Sequence, residues 1–234
     1  MLNVGFAGSL RVEAYPPAVT LFIFFCLALL AVIRYNFGKN LHDSFLAYFN
    51  YRQSIRLLDE RRESDRQAGI FLNILFSLAV GLFISFSIGF FGTQQLFGSY
   101  TISILFFSFA SGLLYFFKAQ IWKTLGAIFL YQSFSKIYIF NMYLNNRILG
   151  LMIFPLVAVV PYISIMIAQY IMYVAFGLIA IWYLFKLLRI FQIISVLKFS
   201  VIYFILYLCA LEILPLLLFV KGCKVLSENI VVQF

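Results

Sequence analysis

The chain has 234 residues, of which 65% are hydrophobic and 11% are charged, and its mean hydropathy is +1.04. Soluble domains carry about 25% charged residues, so 8 acidic and 17 basic side chains cannot cover a water-soluble fold of this size. The composition therefore excludes a soluble globular protein and predicts an integral membrane protein. The net charge of +9 is explained by basic residues held at the cytoplasmic face of a bilayer, and we expect no nucleic-acid partner.

Six apolar runs have roughly the length that crosses a bilayer as a helix, about 20 residues. They predict transmembrane helices at about residues 18–33, 70–91, 99–117, 149–168, 170–185 and 199–220. The first run follows Pro16 and Pro17 and is followed by Arg34, which is the wrong order for a cleaved signal peptide. We expect a retained helix with its N-terminus outside, and we expect Pro155 and Pro161 to bend the fourth span.

The basic residues predict how these helices are oriented. Nearly all of them fall in three stretches between the apolar runs. The stretches are residues 34–66, 118–147 and 186–198, and the basic residues outside them are Arg11, Lys221 and Lys224. Because cytoplasmic loops hold an excess of Lys and Arg, we expect the three stretches on the cytoplasmic side and both termini on the other side.

Residues 118–147 allow two arrangements. A seventh crossing at 125–144 would place Lys136 in lipid, which costs roughly 3 kcal/mol, and would move basic residues outside. We therefore expect six crossings, with about residues 120–146 forming an interfacial or re-entrant segment. Aromatic side chains are expected at the level of the lipid headgroups; these are Trp122, Phe129, Tyr138, Tyr143 and, before the next basic stretch, Trp182.

The most hydrophilic part of the chain predicts a cytoplasmic amphipathic helix at about residues 40–67. Asn40 is a good N-cap, and Asp43 follows it at the position of a capping-box partner. Arginines near this helix are candidates for contacts with lipid phosphates or for docking a cytoplasmic partner. They are Arg34, Arg52, Arg56, Arg61, Arg62 and Arg66.

A small or polar residue occupies every fourth position of the second predicted span. The stripe consists of Gly69, Asn73, Ser77, Gly81, Ser85, Gly89 and Thr93. Small residues let helices approach closely in lipid, and Ser or Asn can hydrogen-bond across the contact. A repeat of four residues advances by about 40° per step around a helix. We therefore expect a helix-packing stripe that curls around its helix and pairs with Ser103, Ser108, Ser111 and Gly112 of the next span.

Glu212 is the one carboxylate inside an apolar run, three residues before Pro215. An ionisable group at membrane depth suggests proton coupling, cation coupling or binding of a cationic headgroup. The alternative is structural: Glu212 lies near the end of its helix and is either protonated or paired with a buried donor. Pro215 frees the carbonyl of Leu211 from its usual donor, which would kink the helix beside the carboxylate.

No other residue pattern indicates catalysis or cofactor binding. His42 is the sole histidine and stands beside Asp43, with no second His or Cys at metal-ligand spacing. We therefore expect no enzyme, no metal and no cofactor; the alternative, a membrane-embedded enzyme, would have to rest on Glu212 or on Asp43 with His42.

The chain resembles an uncharacterised family of small multi-pass inner-membrane proteins of Gram-negative bacteria, classified as a domain of unknown function. Short motifs carry the resemblance, which spans about residues 20–222. They are Arg34-Tyr35-Asn36-Phe37-Gly38-Lys39, Asn50-Tyr51-Arg52, Leu149-Gly150 with Pro155, and Glu212-Ile213-Leu214-Pro215. The family implies location and a shared six-helix plan, and it supplies no catalytic residue.

Two functions remain open for a single membrane domain spanning residues 1–234. The first is a non-enzymatic subunit or scaffold of an inner-membrane complex, in envelope assembly or protein secretion, with membrane lipids, including anionic headgroups, and other membrane proteins as partners. The second is a small transporter or lipid flippase that uses Glu212. The single membrane carboxylate and the lack of an inverted repeat favour the first.

Overall fold

The computed structural model describes residues 15–49, 63–90, 99–128 and 132–197, and these parts of the chain are helical. The long helices are α1 (Pro17–Phe49), α2 (Glu63–Phe90), α3 (Tyr100–Ile128), α4 (Gln132–Val159) and α5 (Ile165–Leu197), and a short 3₁₀ turn (Val160–Tyr162) follows α4. Each long helix is apolar enough to cross a membrane. The described residues therefore confirm the all-α class, and the predicted span 199–220 lies outside them.

Two of the helices form the centre of the bundle. Within the most apolar 18-residue window of each helix, 56% of residues are buried in α2 and 61% in α4. The corresponding fraction is 22% in α1 and α5 and 28% in α3. The described residues therefore leave most of the apolar surface of the outer three helices uncovered, and such surface can contact other membrane-embedded helices or lipid.

Consecutive helices run in opposite directions. Gly89 of α2 lies against Tyr100 at the start of α3, and Gly112 further along α3 lies against Ser77. Tyr15, just before α1, contacts Phe86 near the end of α2 with ring centroids 5.2 Å apart. The ends of α1, α3 and α5 therefore share one end of the bundle with the starts of α2 and α4. We call it the basic end, because the described basic residues of the three stretches lie there.

The stretch predicted as an interfacial segment differs from the prediction. Residues 120–128 continue α3 and residues 132–146 begin α4, so they are parts of two long helices. A seventh crossing at 125–144 would need the chain to reverse before residue 149, whereas α4 is continuous there. The observed helices are therefore incompatible with the seven-crossing arrangement.

The turn between the fourth and fifth spans also lies elsewhere than predicted. Spans of 149–168 and 170–185 placed it at residue 169, but α4 ends at Val159 and α5 begins at Ile165. Pro161 lies within the intervening 3₁₀ turn, and a proline cannot supply the N–H that would continue the helix. Pro155 lies inside α4.

Three aromatic residues expected at the headgroups are instead buried in the protein. Trp122 of α3 packs on Tyr138 of α4, with ring centroids 4.0 Å apart, and both are more than nine-tenths buried. Trp182 of α5 stacks on Tyr48 of α1 at 4.4 Å and 11°. The expectation was wrong for these residues because they join helices at the basic end rather than face lipid. Tyr143 is half-buried, and Phe129 lies outside the described residues.

Helix α1 extends well beyond the predicted span of 18–33. Its backbone leaves helical geometry at Phe37 (φ −129°, ψ 26°), just before Gly38, and then resumes as a helix to Phe49. The predicted cytoplasmic helix at 40–67 thus begins inside α1 and reaches residues 50–62, which lie outside the described residues. Phe37 contacts Phe71 of α2 and Tyr48 contacts Trp182, so the second half of α1 connects α2 to α5.

Candidate functional site: helix interfaces and a basic elbow

The small-residue stripe of α2 faces two different helices. Gly69 lies against the guanidinium of Arg147 in α4, whereas Gly81 lies against Ser108 of α3. The three steps of four residues between them turn the stripe by about 120°. This rotation explains how one regular stripe contacts α4 near the basic end and α3 further along.

The contact at Gly81 is made by backbone atoms. A Cβ added to Gly81 would lie 2.7 Å from the backbone nitrogen of Ser108 and 2.9 Å from the carbonyl oxygen of Ile104, besides colliding with the Ser108 hydroxyl. Real Cβ atoms do not approach other atoms this closely. At this point α2 and α3 are as close as two helices can come, which only glycine permits.

One serine hydroxyl makes a hydrogen bond across the same interface. Ser111 of α3 donates hydrogen bonds to the carbonyl oxygens of Ser77 in α2, at 3.3 Å, and of Ser108 in its own helix, at 2.9 Å. The hydroxyl of Ser77 donates to the Asn73 carbonyl oxygen at 3.1 Å. Ser85 is buried in the same stripe. The bond from Ser111 to Ser77 joins the two helices, whereas the buried hydroxyls of Ser85 and Ser108 make no hydrogen bond within the part of the chain that the structure describes.

A second close contact joins the two central helices. A Cβ added to Gly150 of α4 would lie 2.7 Å from the Cα and 3.2 Å from the backbone nitrogen of Phe76 in α2. Sequence reasoning used Gly150 only as part of a family motif and missed its packing role. The sequence shows a glycine near the start of an apolar run, but a single isolated glycine does not indicate which residue of another helix packs against it.

Two basic residues lie inside the basic end rather than on its surface. Arg147 of α4 and Lys186 of α5 are 9% and 8% exposed. The Nζ of Lys186 lies 5.4 Å from the ring centroid of Tyr183, a cation–π contact. Nearby buried amides come from one helix, α4: Asn141, Asn145 and Asn146. Charge counting placed both cations in stretches expected on the cytoplasmic side, and a count does not show which face of a helix a residue occupies.

Exposed cations lie on α1 and α2 within about two helical turns of the contact between Phe37 and Phe71. Phe37 and Phe71 bring the two helices together with ring centroids 6.2 Å apart. Arg34 and Lys39 flank Phe37, Arg66 precedes Phe71 by little more than one turn, and all three are exposed. We call Arg34, Lys39 and Arg66 the basic elbow. Of the six predicted arginines, Arg34 and Arg66 are therefore placed beside one aromatic contact.

Other predicted site residues lie outside the described residues. They are Glu212, Pro215, Arg52, Arg56, Arg61 and Arg62. His42 is described and its Nδ1 lies 3.9 Å from Oδ1 of Asp43 at an exposed position. Among residues 15–49, 63–90, 99–128 and 132–197, no group of three His, Cys, Asp or Glu side chains is placed to hold a metal ion.

An apolar groove of about 520 Å³ opens between α1 and α4, away from the basic end. Its walls include Ile23 and Leu27 of α1 and Phe154 and Pro155 of α4. Pro155 has no N–H to donate to the carbonyl of Leu151, which lines the same groove.

Comparison with known proteins identifies a family but finds no relative of known activity. Neither the curated proteins nor the solved structures show a significant match to the chain. The profile of a domain of unknown function (DUF4271) matches residues 19–223. This range includes all five described helices except the first turn of α1, and it agrees with the resemblance to an uncharacterised family. The chain belongs to the DUF4271 family, whose function is unknown.

Proposed function

We propose that the protein is a non-enzymatic subunit that holds other membrane proteins in a complex of the bacterial inner membrane, one that serves envelope assembly or protein secretion. The observation that carries the proposal is the packing of α2 against α3 and α4 at backbone distance, at Gly81 and Gly150. Packing without intervening side chains leaves the central helices little freedom to slide. A bundle with fixed central helices suits holding partners better than the rearrangement that alternating access requires.

The outer helices supply the surface for such partners. Leu21 of α1, Phe109 of α3 and Met166 of α5 are each more than 70% exposed. In lipid, apolar surfaces associate through close van der Waals packing rather than through the hydrophobic effect. A partner helix would therefore fit one of these faces by shape, and it would contact a limited set of residues.

Site-specific photocrosslinking in the native membrane tests this proposal. We expect a photoreactive residue at Leu21, Phe109 or Met166 to give a discrete adduct with the same membrane protein in every preparation. The matched control is Phe107, which lies on the same helix as Phe109 but is 1% exposed, and it should give no adduct with another protein. Adducts with lipid alone at all three exposed positions would overturn the scaffold proposal.

The transport alternative is tested in the same experiment with Glu212→Gln. A scaffold keeps its crosslinked partner in this variant, because the partner binds an outer face. A proton-coupled transporter would lose substrate movement in vesicles while the protein stays assembled. The transporter would be favoured by two results in combination: the exposed positions give no protein adduct, and substrate uptake is lost in Glu212→Gln.

The proposal includes six crossings with both termini outside and the basic end in the cytoplasm. The distribution of basic residues supports this orientation. In a variant without native cysteines, we expect Tyr162→Cys, at the exposed turn after α4, to react with a membrane-impermeant maleimide in intact cells. Lys123→Cys, exposed at the basic end, should react only after the membrane is opened. The reverse labelling pattern would show that the basic end faces the outside of the cell.

A further inference from the structure

We propose that the sixth predicted span, residues 199–220, packs against α5 and that its Glu212 forms an ion pair with Lys186. The inference rests on the sixth crossing of the proposed function and goes beyond it by giving this crossing a place in the bundle. It also favours the structural role of Glu212, pairing with a buried donor, over coupling to transport.

Lys186 is a buried cation on an outer helix. Its side chain is 8% exposed, and its Nζ lies 5.4 Å from the ring centroid of Tyr183. A buried ammonium group is stabilised by a carboxylate, which neutralises it and accepts its hydrogen bonds. Glu212 is the one carboxylate inside the apolar runs of the sequence. The charges of Lys186 and Glu212 are therefore complementary.

The chain leads directly from α5 into the segment that carries Glu212. Helix α5 ends at Leu197, at the basic end, and the sixth apolar run begins at Phe199. Two helices joined by so short a connection are antiparallel neighbours. The family profile continues to residue 223, so it includes this run in the same domain as the described helices. Residues 199–220 are therefore expected to return along α5.

The register of such a helix pair places the two charges at one level. Lys186 lies 11 residues before Leu197, the last residue of α5. Loops between antiparallel helices have about two to five residues. Because both helices rise by about 1.5 Å per residue, about residues 211–214 then lie level with Lys186, and Glu212 is among them. Arg147, the other cation buried within the described ranges, has its guanidinium against Gly69, between the two central helices.

One side of α5 can accept a further helix. Tyr183, which contacts the ammonium of Lys186, is half-buried. Two turns earlier on the same side of the helix, Phe176 is 37% exposed. In the most apolar part of α5, 22% of the residues are buried. A helix packed on this side would cover both rings and would bring a carboxylate beside the ammonium group.

Cross-linking in the membrane tests the packing, in the full chain without its native cysteines. We expect Lys186→Cys with Glu212→Cys to be joined by a short bifunctional thiol reagent, detected as a cross-linked peptide by mass spectrometry. The matched control replaces Lys186→Cys by Ile121→Cys, because Ile121 lies as far along α3 as Lys186 lies along α5. It should give no cross-link with Glu212→Cys. Failure of the first pair, or equal yields from both pairs, would overturn the proposal.

Exchange of the charges tests the ion pair itself. Lys186→Glu alone and Glu212→Lys alone each bring like charges together, so each should lower the unfolding midpoint in mild detergent. The double variant restores opposite charges and should recover most of the lost midpoint. Lys123→Glu with Glu212→Lys, which exchanges an exposed lysine instead, should recover none. A double variant no more stable than the less stable single variant would exclude the pair.

Glutamine variants provide the same test if the charge-reversed chains do not fold. Lys186→Gln and Glu212→Gln each leave one buried charge without its partner, whereas the double variant leaves none. The double variant should therefore lose less stability than the two single losses added together. Additive losses would contradict a direct interaction between the two side chains.

Labelling of Lys224→Cys separates a failure of this inference from a failure of the sixth crossing. Lys224 follows the apolar run, and with six crossings it should react with a membrane-impermeant maleimide in intact cells. Reaction from outside without the cross-link between positions 186 and 212 would retain the crossing and reject its packing on α5. Reaction only after the membrane is opened would reject both.

Discussion

The variant Gly81→Ala is expected to lower the stability of the bundle markedly. The new methyl group would lie 2.7 Å from the backbone nitrogen of Ser108 and 2.9 Å from the carbonyl oxygen of Ile104. Backbone atoms cannot turn aside as a long side chain can, so α2 and α3 must separate. Overpacking of this kind costs about 1–3 kcal/mol, and separation would also stretch the hydrogen bond from Ser111 to Ser77.

The control for this prediction is Gly177→Ala in α5. A Cβ at Gly177 would meet no atom within 4 Å. Alanine favours a helix over glycine by about 1 kcal/mol at either position, so the difference between the two variants isolates the collision. Thermal unfolding in a mild detergent should show a lower midpoint for Gly81→Ala and an unchanged or higher one for Gly177→Ala. Equal midpoints would show that α2 and α3 do not approach as the structure describes.

The variant Gly150→Ala is expected to separate the two central helices. Its methyl group would lie 2.7 Å from the Cα of Phe76 and 2.8 Å from the Cβ. We expect a loss of stability of about 1–3 kcal/mol. The loss should extend beyond α2 and α4, because α4 also holds α5 through Leu144, Ile148 and Trp182.

A second substitution distinguishes this collision from a simple loss of side-chain packing. Phe76→Gly removes the colliding Cβ and the ring but leaves the Cα and nitrogen in place, so it should rescue Gly150→Ala only in part. At the other interface, Ser108→Gly removes one of the colliding atoms and should restore part of the stability of Gly81→Ala. The measurement is the unfolding midpoint of each single and double variant. Full rescue by Phe76→Gly would contradict a backbone contact.

Hydropathy and spacing predicted the helical class and the residues of the α2 stripe. These features depend on local composition and on a period, both of which a sequence displays directly. The stripe of Gly69, Ser77 and Gly81 could be identified because its repeat of four is regular. Gly150 has no such repeat, so nothing in the sequence marks it as the residue that touches Phe76.

The differences from prediction have a common physical origin. Trp122 and Trp182 were assigned to the lipid headgroups, and the burial of Arg147 and Lys186 was not predicted, because an amphipathic side chain suits both a membrane surface and the interior of a helix bundle. Which environment it occupies depends on a partner helix, and Trp122 finds that partner in Tyr138. Helix lengths have the same limit: α1 continues past Arg34 because its second half packs on α2 and α5.

The stacking of Tyr48 on Trp182 joins the first described helix to the last, which are synthesised at different times. A membrane protein is made from its N-terminus, so the second half of α1 leaves the ribosome long before α5. Until α5 is in place, the cluster that contains Ala47 and Tyr48 lacks the ring of Trp182. The first described helix is thus completed by the last one described, and a chain stalled before residue 182 exposes an aromatic surface that quality-control factors can recognise.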